Sequence, residues 1–68
     1  MTYYRIYLLD AADRIFGVRE AECESDQSAI EVGRPLLTRW PAVEVWECAR
    51  RVARLLPEQA KAALYSVL

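Results

Sequence analysis

The sequence predicts an α+β domain of the ββαββ type: a four-stranded antiparallel sheet of order 2-1-3-4, one helix on one face, and a short helix appended at the C-terminus. Three observations carry that prediction. Tyr3 to Leu9 and Ile15 to Cys23 are rich in β-branched and aromatic residues and contain period-2 segments. Ala29, Ile30, Gly33, Leu36 and Leu37 recur at helical spacing. Val43-Glu44-Val45-Trp46-Glu47 then returns to alternation ahead of a basic hairpin.

The first strand places Tyr4, Ile6 and Leu8 on one face, and Tyr3, Arg5, Tyr7 and Leu9 on the other. The Ile6 and Leu8 face is expected to meet the helix. Asp10-Ala11-Ala12-Asp13 supplies a hairpin loop of three to five residues, because aspartate bonds nearby amides and tolerates positive φ. In the second strand Phe16 and Val18 alternate with Ile15, Gly17 and Arg19, and a bulge at Gly17 would shift the phase toward Ala21 and Cys23.

Ser25 or Asp26 starts the helix, since either accepts a bond from a free first-turn amide and Asp26 complements the helix dipole. Pro35 removes an amide and clashes with the carbonyl of Glu31, so a kink or an end near Arg34 is expected. Gly33 lies on the apolar stripe, where a glycine lets helix and sheet approach closely. A phosphate loop is not indicated there, because no G-x-G-x-x-G is present.

Val43 and Val45 face the helix from the third strand, which turns Trp46 outward. Residues Glu47 to Arg50 reverse the chain, and Arg51-Val52-Ala53-Arg54-Leu55 forms a charged edge strand. The ββαββ unit thus spans residues 1–55. Pro57 opens the final helix within an extension over 56–68, whose stripe includes Ala60, Ala63, Leu64, Val67 and Leu68. That extension is expected to pack on its own domain or on a partner chain, because so short a helix is marginal in isolation.

The run Tyr4-Arg5-Ile6-Tyr7-Leu8-Leu9-Asp10, then Asp13-Arg14-Ile15, Cys23, Asp26, Ala29-Ile30, Leu36-Leu37, Val43-Glu44-Val45-Trp46 and Arg51-Val52-Ala53-Arg54-Leu55, resembles small bacterial ββαββ proteins of unknown function. The resemblance spans residues 3–55 and implies a short cytoplasmic domain, with no activity attached. This chain departs from it at Ala11-Ala12, where such turns often carry glycine, and at Pro35. Residues 56–68 lie beyond it.

A chain of 68 residues makes one domain and buries only about 60% of the surface its unfolded form exposes. Such small cores commonly recruit disulfides, a metal or a partner. Arg5 and Asp10 interrupt the N-terminal apolar run, so no signal-peptide core is apparent, and Cys23 and Cys48 are expected to be reduced in a cytoplasmic protein. With no histidine and no C-x-x-C pair, neither a metal site nor a cofactor is expected. No apolar run is long enough to span a bilayer. A partner remains to accommodate a composition that is 54% hydrophobic.

The candidate interface residues are therefore Tyr3, Tyr7, Leu9 and Trp46 on the open sheet face, with Leu64, Val67 and Leu68 on the final helix. Tyr7 and Trp46 on central strands also suit base stacking. Nucleic acid is disfavoured by a formal charge of −1, by Glu44 and Glu47, and by the lack of an RNA-recognition signature. Arg50, Arg51 and Arg54 read as a solvated edge rather than an anion site. Catalysis by Cys23 or Cys48 lacks a base, and Asp10 with Asp13 falls short of a calcium loop. The leading expectation is a non-enzymatic interaction module that forms a homodimer. The alternatives are a small-molecule binder with Tyr7, Trp46 and Leu64 lining a pocket between sheet and final helix, and a nucleic-acid-binding regulator.

Overall fold

The computed structural model describes residues 1–57. Strand β1 (Thr2–Leu9) leads into β2 (Ile15–Cys23), helix α1 (Asp26–Gly33), a 3₁₀ turn (Arg34–Thr38), β3 (Ala42–Glu47) and β4 (Arg50–Leu55). The strands form one antiparallel sheet of order β2-β1-β3-β4. Element order and sheet order are those the sequence predicts. The helix expected over 56–68, and with it Leu64, Val67 and Leu68, lies outside the described residues.

The β1–β2 loop is held by local bonds. Asp13 N donates to the Asp10 carbonyl at 3.0 Å, and Asp10 Oδ1 accepts from the amides of Ala12 and Arg14 at 2.9 and 3.0 Å. Asp13 takes the left-handed position, φ 63°, that commonly closes such three-residue loops. Past the loop Leu9 pairs with Ile15 and Leu8 with Gly17, so Phe16 is an extra residue in β2. The bulge falls at Phe16, one residue before the expected Gly17, and beyond it Ala21 and Cys23 face the helix side, where Cys23 is buried.

Ser25 caps α1, its Oγ accepting from the Ser28 amide at 3.2 Å. The α-helix ends at Gly33 and tightens into the 3₁₀ turn with Pro35 near its start, which spares the carbonyl clash a continued α-helix would bring. That turn carries Leu36 and Leu37 back over the sheet. A Cβ built on Gly33 would lie 3.3 Å from Val43 Cγ1 and 3.4 Å from both Val45 Cγ2 and Leu55 Cδ1. The glycine therefore sits where helix and sheet approach closely.

The core consists of Tyr4, Ile6, Leu8, Cys23, Ala29, Val43, Val45 and Leu55. Ile6, Val43 and Val45 are wholly enclosed. The β3–β4 reversal is tighter than the sequence suggests, for Arg50 already belongs to β4 and only Cys48 and Ala49 turn the chain. Cys48 adopts φ 52° to close it.

Candidate functional site

The helix covers one face of the sheet, so the pairing register decides what the other face presents. One row across the strands reads Glu20, Arg5, Trp46 and Arg51; the next reads Val18, Tyr7, Glu44 and Arg54. Tyr7 and Trp46 meet edge to face, with ring centroids 6.5 Å apart and planes at 85°. Such pairs contribute about 0.5–1.5 kcal/mol beyond the area they bury.

Glu44 is the polar centre of this face. Its Oε1 accepts from the Trp46 indole Nε1 at 3.0 Å, and its Oε2 faces Arg54 Nη1 at 2.7 Å and Arg51 Nη1 at 3.4 Å. Arg54 also donates to Asp13 Oδ1 at 2.6 Å. Desolvation pushes the Glu44 carboxyl upward, but the bonds from Trp46 and Arg54 and the two guanidinium charges outweigh it, leaving the carboxyl below its ordinary range. Elsewhere on the face Arg5 lies 3.9 Å from Glu20, and the Tyr3 phenol is raised chiefly by its bond to Glu20.

The predicted surface residues separate into distinct environments. Tyr3 is 50% exposed, Tyr7 and Trp46 are half-buried, and Leu9 is only 3% exposed between its neighbours Ile15 and Ala42. Leu9 is thus buried although it alternates with Tyr7 on the side away from the helix, outside the core cluster, and it is not part of a displayed patch. Sequence reasoning missed the apolar side chains of β2: Ile15 is 62% exposed, Phe16 69% and Val18 50%. It also missed the Phe16–Trp40 contact, with centroids 4.6 Å apart, which places an aromatic pair beside the bulge. The only available signal was the presence of both rings next to chain-bending residues, since their meeting depends on the bulge and the 3₁₀ turn.

A shallow hollow of about 280 Å³ is lined by Tyr7, Ile15, Glu44, Trp46 and Cys48. It includes Tyr7 and Trp46 of the pocket expected from sequence; Leu64 lies outside the described residues. Both cysteines are free thiols, Cys23 buried and Cys48 exposed. Among the described residues, no group of three or more metal-ligating side chains converges, and no helix is long and apolar enough to cross a membrane.

The fold is α+β, a four-stranded antiparallel sheet with one helix, and it presents an aromatic and ion-paired surface on the side that no described element covers. No family model matches the chain, nor does any curated protein or solved structure.

Proposed function

We propose that this chain is a small, non-enzymatic, cytoplasmic interaction module that self-associates through the open face of its sheet. The observation that carries the reading is the Tyr7–Trp46 pair, standing half-buried among Tyr3 and Val18 on a face that no described element covers. Aromatic and arginine side chains are enriched in protein contacts, and a rigid aromatic pair ringed by satisfied ion pairs resembles the usual arrangement of an anchor within a polar rim. The unpaired thiols fit a reducing compartment.

The hollow beside Trp46 offers a second reading, a small ligand, but its volume falls below the usual range of about 300–1,000 Å³ for ligand pockets. Nucleic acid is less well supported, because Arg5, Arg51 and Arg54 each face a carboxylate and leave little positive charge in surplus.

Sedimentation equilibrium tests the proposal directly. The expected result is a mass above the 7.8 kDa chain that returns toward the monomer in Trp46→Ala and in Tyr3→Lys. The Tyr3 substitution lies at an exposed site beside Glu20 and Glu22, so it leaves folding intact. A monomer at all micromolar concentrations, or an oligomer indifferent to both substitutions, overturns the open-face reading.

A further inference from the structure

The sheet has two outer strands, and among the described residues neither β2 nor β4 has a neighbour on its outer side. We infer that these two edges are complementary, and that β4 of one copy takes β2 of the next as an additional antiparallel strand, joining the chains head to tail. The inference shares with the reading above the premise of self-association, but it rests on different strands.

Direction comes first. All neighbours in the β2-β1-β3-β4 sheet are antiparallel, so β2 and β4 run in opposite senses. A second copy placed beside the first in the same orientation presents its β2 to β4 in antiparallel sense, with both helices on the same side. No proline lies within either strand, so each backbone remains able to complete a ladder.

Charge then selects among the three ways two edges can meet. On the open side β2 carries Glu20 and Glu22, which share a face with Arg5 and Tyr3. On that side β4 carries Arg51 and Arg54. Pairing β2 with β2 over its regular half, Val18 to Cys23, sets glutamate against glutamate or Arg19 against Arg19 in every face-matched register. Pairing β4 with β4 sets arginines together. Like charges directly opposite one another are destabilising. Only the mixed pairing brings opposite charges together: with Glu20 of the next copy opposite Arg54, its Ala21 meets Ala53 and its Glu22 approaches Arg51.

The carboxylate supply within the chain favours this arrangement. Among the described residues, Glu44 Oε2 serves two guanidiniums and Arg54 has Asp13 as a second partner, whereas Arg51 has a 3.4 Å share of Glu44 and is half-exposed. Glu20 is equally accessible beside Tyr3, and its contact with Arg5 is a loose 3.9 Å. A heterologous contact of this kind leaves a free β2 at one end and a free β4 at the other, so it grows rather than closes. Exposed ion pairs are screened by salt, so growth should weaken as ionic strength rises.

The test uses the full chain and its Glu20→Arg, Glu22→Arg double variant. This variant keeps a normal β4 edge but cannot offer an acidic β2. Light scattering of the wild-type chain should show an average mass that climbs continuously with concentration and falls with added salt. The double variant, checked for retained fold by circular dichroism, should lose that growth. Added at a minor fraction to the wild type, it should cap the ends and shorten the assemblies, which a closed dimer made through the sheet face would not show. A mass that stops at twice the chain, or growth unaffected by the capping variant, overturns edge pairing while leaving the open-face proposal standing. If Trp46→Ala and Tyr3→Lys change nothing but the capping variant still shortens the assemblies, the open-face proposal fails and edge pairing holds.

Discussion

At the scale of single residues, backbone conformation and close approach account for choices that composition does not. Gly33 sits where a methyl group would press on Val43, Val45 and Leu55, at 3.3–3.4 Å. The two valines are enclosed on rigid strands and have little rotamer freedom. Alanine would gain up to about 1 kcal/mol of helix propensity, but overpacking of such a site costs typically about 1–3 kcal/mol. Gly33→Ala should therefore lower stability by about 1 kcal/mol, read as a lower urea midpoint at unchanged slope, and Gly33→Leu should abolish folding. A more stable alanine variant would mean that the helix can lift away from the sheet.

Cys48 is the opposite case. Its side chain is exposed while its backbone holds φ 52°, a conformation that disfavours a Cβ by about 1–2 kcal/mol. Cys48→Gly removes that strain at the expense of a looser unfolded chain. The expected result is a small rise in thermal midpoint, whereas Cys23→Ser, which buries a hydroxyl in the core, should lower it. A fall for Cys48→Gly comparable to that of Cys23→Ser would show that the Cys48 side chain has a packing role.

At the scale of elements, one polar latch ties the start of α1 to the β3–β4 hairpin. Asp26 Oδ1 accepts from the Tyr4 hydroxyl at 2.8 Å, and the Arg50 guanidinium grips both Asp26 oxygens at 3.0 and 3.1 Å. Arg50 also bonds Glu47 in its own hairpin. These contacts, Arg50 foremost and then Tyr4, hold the Asp26 carboxyl below its ordinary value of 3.8. A carboxyl depressed by folding contributes stability that is present above the unfolded-state value and is lost as pH falls through the folded-state value. Asp26→Asn should thus melt below the wild type at neutral pH, and the two midpoints should converge as pH falls below about 4. A gap that stays constant down to pH 2 would show that the ionic half of the latch contributes nothing.

At the scale of the whole molecule the core is one layer of side chains between a helical layer and a sheet, and Val45 lies in it beneath Gly33 with no exposed surface. Val45→Asp should unfold the chain, since a buried carboxylate without a partner costs several kcal/mol against a total of about 5. Loss of the cooperative thermal transition is the expected reading. An unchanged midpoint would require the strand phase to be reversed.

The sequence alone determined the order of elements, the antiparallel 2-1-3-4 sheet and the identity of the helix-facing side chains, because these follow from local periodicity and from the handedness of a short crossover. Tyr4, Ile6, Leu8, Val43 and Val45 could be placed by counting along their strands, and Asp26 and Gly33 by what a helix start and a close packing point demand. The surface required the fold itself. Leu9 and Tyr7 alternate identically on β1, yet one is enclosed and the other half-open. Phe16 meets Trp40, and Glu44 gathers Trp46, Arg51 and Arg54, only because a bulge, a 3₁₀ turn and two strand registers bring distant residues together. The charged edges follow the same logic: three glutamates in β2 and its exit and three arginines in β4 are visible as letters, but that they end on opposite borders of one sheet is a consequence of topology. Periodicity is a property of neighbours in the chain, whereas exposure and complementarity belong to neighbours in space, and only the tertiary structure sets those.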